Sequence, residues 1–376
     1  MKPRRILIFS LVYYPRFVGG AEVAVKEITD RIPPGEISFE MIALNGGGEA
    51  REEQVGAVTV HRIFSKVGPL QKLLFPFAAY FKAKKLHRQD PYDGTWAIMA
   101  SYAGFAAYLF KKSFPKIPFI LTIQEGDHFG RREGVLFPLF KKMFAHADRI
   151  QAISKYLADW SGRMGATCPI DIVPNGVDYG RFAAALPAER KDLLRREWGA
   201  SSSDIILVTA SRLVFKNAID TIIRALLDLD PSVKLLILGR GRDEAKLKAL
   251  AATLKLSDRV IFRGFVPHAD LPAYLQASDI FVRPSRTEGL GNSFLEAMAA
   301  GIPVIATPVG GIPDFLTDGE TGLFCEVDNP QSIAQKVQKL TRDRESRGYI
   351  TEKARDMVRD MYQWDAIAPR MRKLFI

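Results

Sequence analysis

The stretch Phe281-Val-Arg-Pro-Ser-Arg-Thr-Glu-Gly-Leu-Gly-Asn-Ser-Phe-Leu-Glu-Ala-Met-Ala-Ala-Gly-Ile-Pro-Val-Ile-Ala-Thr-Pro308 decides how the rest of the chain is read. Ile280 to Arg283 is a short apolar run of strand type, and Ser285 to Asn292 carries the glycines of a loop. Ser293 to Ala300 has the spacing of a short helix stopped by Gly301, and Pro303 to Thr307 is a second strand. A strand, a crossover helix and a further strand belong to a parallel sheet.

The loop delivers Glu288 at the carboxyl end of a strand, and Glu296 follows eight positions later, one turn into the helix. Both carboxylates can then face the crevice in which open parallel sheets bind ligands. Between them Gly289, Gly291, Asn292 and Ser293 allow close backbone approach, and free amides at a helix start favour a phosphate. Phosphate-binding amides flanked by hydroxyl-binding carboxylates suit a nucleotide-sugar. The same residues also read as a capping box, Ser293 with Glu296, beside a solvated Glu288.

The segment resembles the retaining family 4 glycosyltransferases, whose signature is Glu, seven residues, Glu in the setting E-G-x-G-N-x-x-L-E-A-M-A. Here it stands as Glu288-Gly-Leu-Gly-Asn-Ser-Phe-Leu-Glu296-Ala-Met-Ala. The resemblance implies a GT-B fold, an α/β architecture of two doubly wound Rossmann-like domains facing an interdomain cleft. It implies transfer of a sugar from a UDP- or GDP-sugar to a glycan or lipid-linked acceptor with retention of anomeric configuration. Glu288 would hold donor-sugar hydroxyls and Glu296 the ribose hydroxyls. Two other readings stay open on fold alone: a nucleotide-sugar epimerase or hydrolase, and a non-catalytic binding protein.

Outward from this stretch, 376 residues accommodate two α/β domains of roughly 180 residues each, and 47% hydrophobic content supplies two cores. The first, residues 1–177, alternates strands near Arg5–Val12, Ser38–Leu44, Val58–Arg62, Thr95–Ala100, Phe119–Ile123, Arg149–Ile153 and Asp171–Val173 with helices near Ala21–Arg31, Pro76–Leu86, Gly104–Lys112, Leu136–Ala145 and Lys155–Arg163. Its first turn lacks G-x-G-x-x-G and offers Gly19-Gly20-Ala21-Glu22, a pair of glycines suited to a phosphate or sugar or to a plain turn. In the resembling family this pair lies beside the donor diphosphate and the acceptor.

Pro174-Asn175-Gly176-Val177-Asp178 marks the boundary, and the second domain runs over residues 178–360. It opens with a strand ending in Arg212-Leu-Val-Phe-Lys216-Asn217, cations at a strand's carboxyl end that can neutralise a diphosphate. The family's R-L-x-x-K-N segment clamps the donor diphosphate, which selects Arg212 and Lys216. By the same resemblance, Gly264, Phe265 and Val266 touch the nucleobase, and residues 361–376 form a helix that crosses back to the first domain. Gln124 stands where many members carry His, with Asp127 or Glu125 placed to help position the acceptor. His128 reads as a solvated loop residue.

Two cysteines far apart, Cys168 and Cys325, indicate neither a disulfide framework nor a cysteine metal site, and a reducing cytoplasmic compartment fits. Neither cofactor nor metal is expected: the only Asp-x-Asp, Asp228-Leu-Asp230, lies in a turn away from the strand ends that form the crevice. The basic, apolar amino terminus lacks a signal-peptide cleavage site and reads as a buried first strand. No apolar run approaches the roughly 20 residues that span a bilayer. The net charge of +11 is uneven, +7 up to Asp178 and +4 beyond. No acidic residue occurs between Glu53 and Asp90, where Lys66, Lys72, Lys82, Lys84, Lys85 and Arg88 interleave with Leu73 to Phe81. That segment reads either as an ordinary surface helix or as one lying on an anionic membrane surface. Nucleic acid is not an expected partner, since no aromatic RNA-binding motif or zinc pattern is present.

Overall fold

A computed structural model describes residues 2–124 and 137–376. The chain forms two compact units, one of residues 1–175 with Trp364–Ile376, the other of Gly176–Gln363.

Eight strands make the sheet of the first unit: β1 (Arg4–Phe9), β2 (Ile37–Leu44), β3 (Glu52–Val55), β4 (Val58–Ile63), β5 (Gly94–Ile98), β6 (Phe119–Ile123), β7 (Arg149–Ala152) and β8 (Ile170–Ile172). Their order is β3-β4-β2-β1-β5-β6-β7-β8, and every pairing except β3 with β4 is parallel. β5 and β6 are buried along their whole length, as near-continuous apolar strands covered on both faces must be. β1 stops at Phe9, short of its apolar run, where Ser10 donates to the carbonyl of Val12 at 2.9 Å and the chain turns.

Helices α1 (Gly20–Asp30), α2 (Pro69–Gln89), α3 (Tyr102–Ser113), α4 (Phe137–His146) and α5 (Lys155–Arg163) belong to this unit. α1 buries Ala21, Ala24, Val25 and Ile28, one stripe of a 3.6-residue period. The same core takes Trp364, Ile367, Met371 and Phe375 from the last helix, and Phe375 meets Phe39 and Trp96 edge-on at 5.6 and 5.1 Å.

The structure extends two expectations. α2 starts at Pro69, not Pro76; Pro69 occupies the first turn, and Pro76 lies inside the helix. One face buries Phe75, Pro76, Ala79 and Ala83, while Leu70, Leu73, Leu74, Phe77 and Phe81 are exposed on another. A helix apolar on two faces shows no single stripe, so its periodicity is masked. β3 has no counterpart in the sequence reading because its residues, Glu-Glu-Gln-Val, are those of a charged edge strand. It closes a hairpin through Gly56 at φ +58°, which the Asp30 carboxylate anchors by accepting from Ala57 N at 2.7 Å.

In the second unit β9 (Ile205–Ala210), β10 (Val233–Leu238), β11 (Val260–Gly264), β12 (Ile280–Arg283), β13 (Val304–Ala306) and β14 (Leu323–Phe324) run parallel in the order β11-β10-β9-β12-β13-β14. Phe281 lies beside both Val208 and Val304, so the crossover from β12 to β13 is a neighbouring parallel pair. The strand order reverses between β9 and β12, and a ligand crevice is expected outside their carboxyl ends. The helices are α6 (Tyr179–Ala183), α7 (Ala188–Glu197), α8 (Ile219–Ala225), α9 (Glu244–Thr253), α10 (Leu271–Gln276), α11 (Asn292–Ala299), α12 (Pro330–Arg342) and α13 (Arg344–Met357); α14 (Trp364–Phe375) returns to the first unit. No helix among the described residues is long and apolar enough to cross a membrane.

Glu40 on β2 ties three strands together. It is ion-paired with Arg5 on β1 and accepts from His61 on β4 at 2.9 Å and from the Tyr92 hydroxyl at 2.7 Å. Burial works against its charge, but these hydrogen bonds and the Arg5 guanidinium outweigh it and hold the carboxyl at about 2, below its ordinary 4.5. A depressed carboxyl contributes stability above its unfolded value and loses it as pH falls towards the folded one. Denaturant unfolding of the first unit is therefore expected to lose about 1–2 kcal/mol from this group between pH 4.5 and 2, after allowing for solvent screening. Glu40→Gln should flatten that part of the profile; an unchanged slope would contradict the assignment.

Candidate active site

Because all six strands of the second unit are parallel, the turns after β9, β10, β11 and β12 gather at one edge. Two are in backbone contact. Gly239, at φ +142°, would place a Cβ 1.9 Å from the Ser211 carbonyl oxygen, and a Cβ on Gly241 would sit 2.2 Å from that of Leu213. Only glycine fits either position. A cavity of about 480 Å³ opens here, lined among others by Arg212, Arg240, Phe265, Val266, Ser293 and Glu296. Phe265 is 69% exposed, a ring available for stacking, and follows Gly264 at φ +79°. Arg240 was not singled out in the sequence; its signal was its place between the two glycines that end β10. A larger depression, about 1110 Å³, lies at the opposite, amino ends of β9, β12 and β13, and among the described residues none of the site residues expected from the sequence lines it.

The local geometry of the signature differs from a capping box. α11 begins at Asn292, with Gly291 at φ +94° as its cap; a Cβ on Gly291 would lie 2.5 Å from the Phe294 ring. Ser293 Oγ accepts from Arg283 Nη1 at 2.7 Å, and Glu296 Oε1 accepts from His268 Nε2 at 2.9 Å. Nor is Glu288 a solvated loop residue. Its side chain is 13% exposed, ion-paired with Arg283, and its Oε1 accepts from Gly289 N at 3.0 Å. Arg283 stacks 4.3 Å from the Phe294 ring centroid and donates through Nε to Ser285 Oγ at 3.2 Å. Gly310, at φ +58°, holds the next loop against this one, since a Cβ there would fall 1.7 Å from the Glu288 carbonyl oxygen.

The two glutamates therefore do not line one cavity side by side. Glu296 and Ser293 line it; Glu288 is joined to it through Arg283 and Ser293.

A second chain of bonds orients Glu296. Arg181 Nη2 donates to His268 Nδ1 at 2.8 Å, so the ring proton sits on Nε2 and is donated to Glu296 Oε1. Lys216 lies in the turn Phe215–Asn217 after β9 and is not among the residues lining the cavity. Arg286 braces that turn: its N–H donates to the Lys216 carbonyl at 2.7 Å, it lies 4.0 Å over the Phe215 ring, and it pairs with Asp220 and Asp328 at 2.8 and 2.7 Å. Arg181, His268, Arg283 and Arg286 escaped the sequence reading, although Arg283 and Arg286 flank Pro284-Ser285 inside the quoted stretch.

In the first unit, Gly19 and Gly20 open α1, and Gly19 N donates to Glu22 Oε2 at 2.8 Å. Burial pushes the Glu22 carboxyl above its ordinary value. Gln124 directly follows β6, and Asn175 Nδ2 donates to its Oε1 at 3.2 Å, which turns the Gln124 amide nitrogen into the available donor. Asn175, read in the sequence only as a boundary marker, is thus a positioning partner. Asp127, Glu125 and His128 lie outside the described residues.

Replacing Arg283 with Met would leave the Glu288 carboxylate buried without its counter-charge. Urea unfolding of Arg283→Met is expected to show a loss of about 3–5 kcal/mol in the second unit, partly recovered when Glu288→Gln is added. A Glu288→Gln effect that is the same in the wild-type and Arg283→Met backgrounds would show that the pair is not coupled.

The family model described as Glycosyl transferases group 1 matches residues 190–357, and that described as Glycosyltransferase Family 4 matches residues 18–181. An uncharacterized glycosyltransferase of Methanocaldococcus jannaschii is 27% identical over 97% of this chain and 96% of its own. The GDP-mannose-dependent monoacylated alpha-(1-6)-phosphatidylinositol monomannoside mannosyltransferase of Corynebacterium glutamicum is 32% identical over 61% of this chain and 62% of its own length. Among solved structures, Anabaena HepE in complex with UDP and glucose shares the fold at a TM-score of 0.81 and 19% identity, covering 99% of both chains. Two α/β units, each built on a doubly wound and mostly parallel sheet, match the GT-B fold of such structural neighbours. With two family models that together span both units, the chain belongs to the family 4 glycosyltransferases.

Proposed function

We propose that the protein is a retaining transferase that moves a sugar from a UDP- or GDP-sugar to a glycan or lipid-linked acceptor without a divalent metal. The observation that carries this reading is the cavity at the switch point of the second unit, where Arg212, Phe265, Ser293 and Glu296 converge. A base would stack on Phe265, the ribose hydroxyls would bond Glu296, and the diphosphate would meet Arg212, Lys216 and the amides of residues 291–293. Charge developing on the leaving diphosphate is then met by preorganised donors. Glu288, already held by Arg283 and Gly289 N, turns its remaining lone pairs to donor-sugar hydroxyls and Gln124 orients the sugar, while the leaving phosphate takes the acceptor proton. The relatives support the donor class: one is named for GDP-mannose, and one structural neighbour was solved with UDP and glucose.

Metal independence rests on where the carboxylates stand. Asp230 lies before β10, at the amino end of the sheet, and its carboxylate already accepts from Ser232 N and Oγ at 2.9 and 2.7 Å. In a panel of UDP- and GDP-sugars with EDTA present, transfer is expected to persist and proton NMR to show retention. Arg212→Ala and Lys216→Ala should each weaken nucleoside diphosphate binding by about 1.5–3 kcal/mol while sparing the nucleoside. Metal-dependent turnover, an inverted product, or equal losses for nucleoside and diphosphate would each refute the corresponding part.

The acceptor side points to a cytoplasmic membrane face. α2 exposes Leu70, Leu73, Leu74, Phe77 and Phe81, and Lys84, Lys85 and Arg88 extend the helix beyond them. Apolar side chains followed by cations suit an anionic lipid surface. Cosedimentation with anionic vesicles is expected to exceed that with neutral ones, to fall with salt, and to weaken by about 1 kcal/mol per charge in Lys84→Gln and Lys85→Gln. Equal binding to both vesicle types would remove the membrane from the reading.

A further inference from the structure

The depression of about 1110 Å³ at the amino ends of β9, β12 and β13 is lined entirely by the second unit. It and the donor cavity lie at opposite ends of α11: Ser293 and Glu296 line the donor cavity, and Gly301, just past the last turn, lines the depression. α13 and α7 supply much of its wall. From α13 come Arg344, Arg347, Thr351 and Arg355, spaced three, four and four residues apart, one stripe of a 3.6-residue period. Lys191 comes from α7.

Fold stability does not account for this stripe. Arg344 is the first residue of α13 and Arg347 stands in its first turn, the positive end of the helix dipole, where a cation is unfavourable. Their spacing also makes the two like charges repel along one face. Among the described residues, the side chains of Arg344, Arg347, Arg355 and Lys191 have neither an ion pair nor a hydrogen bond, and Arg355 Nε is buried without a partner. Acids in the depression are largely engaged elsewhere. Asp279, Asp204 and Asp356 are paired with Arg195, Lys234 and Arg359 at 3.1, 2.8 and 2.9 Å. That leaves Asp192 and Glu352 against four cations.

The lining sets the ligand class. Guanidinium forks match phosphate oxygens, and an ammonium adds a point charge. Arg344 and Arg355 stand about 16 Å apart along the helix axis, too far for a single phosphate group to engage both. The volume holds a small molecule rather than a lone ion. Carboxylates beside the cations can accept from hydroxyls.

We propose that this depression is a second ligand site, distinct from the donor cavity, for a polyol carrying two phosphate groups. Arg344, Arg347, Arg355 and Lys191 hold the phosphates, and Asp192 and Glu352 accept from the hydroxyls between them. The site goes beyond the transferase reading and does not depend on which donor is used.

The test is titration calorimetry at low ionic strength with fructose 1,6-bisphosphate, glucose 1,6-bisphosphate, fructose 6-phosphate and inorganic orthophosphate. At least one bisphosphate is expected to bind at one site per chain, at least tenfold tighter than the monophosphate or orthophosphate. Arg344→Gln and Arg347→Gln should each weaken it at least tenfold and leave UDP and GDP affinities unchanged. Arg212→Ala, in the donor cavity, should leave bisphosphate affinity unchanged. Arg344 is exposed and Arg347 half-buried on the helix, so these two variants decide the matter even if Arg355→Gln does not fold. Absence of binding by both bisphosphates, equal affinity for mono- and bisphosphates, unchanged affinity in the two α13 variants, or a loss in Arg212→Ala would overturn the proposal.

Discussion

The buried guanidinium of Arg283 is the constraint on which the site depends. A desolvated cation is tolerated only when its donors are satisfied and a counter-charge is held against it. Arg283 meets that demand with Ser285, Ser293 and Glu288, and rests its face on Phe294. Each partner lies on a different part of the same short crossover: the strand end, the loop and the first turn of α11. Satisfying one side chain therefore sets the path of the whole loop. Gly291 and Gly310 then follow of necessity, because the loop is pulled so close to the Phe294 ring and to the neighbouring backbone that no Cβ can be accommodated.

The rest of the second unit applies the same economy of space. Parallel strands bring four turns to one edge, and glycines at 239 and 241 let two of them touch through backbone. Charged side chains on those turns are not left to wander. Arg286 is clamped by Asp220 and Asp328 and holds the Lys216 carbonyl; His268 is fixed by Arg181 and holds Glu296. Preorganisation of this kind is what electrostatic catalysis requires, since donors that need not reorganise lose least when charge develops.

The first unit is built differently. Its sheet is equally regular, yet α2 leaves an apolar face to solvent while burying another. Burial against the fold explains Phe75, Ala79 and Ala83, Phe77 meets Phe105 edge-on, and Leu73 and Phe81 stay largely exposed. Phe64, an aromatic residue in a left-handed conformation beside that helix, is a second feature that folding does not explain.

Sequence by itself determined the parallel architecture, because strands buried on both faces must be continuous apolar runs and crossovers must be helical; Phe119–Ile123 and Lys155–Arg163 stand where the pattern put them. It also put Arg212 and Glu288 beyond strand ends and Glu296 in the helix that follows, where they stand. Their partners were decided only in three dimensions. That Glu288 is buried against Arg283, that Glu296 accepts from His268, and that Gln124 is held by Asn175 all depend on which segments the strand order makes neighbours. Local periodicity extends over a few turns of chain, whereas ion pairs and hydrogen bonds act between atoms about 3 Å apart wherever the chain has carried them. The start of α2 and the charged edge strand β3 were hidden for a related reason: one helix was apolar on two faces and one strand on neither, and a pattern read along the chain needs one face of each kind.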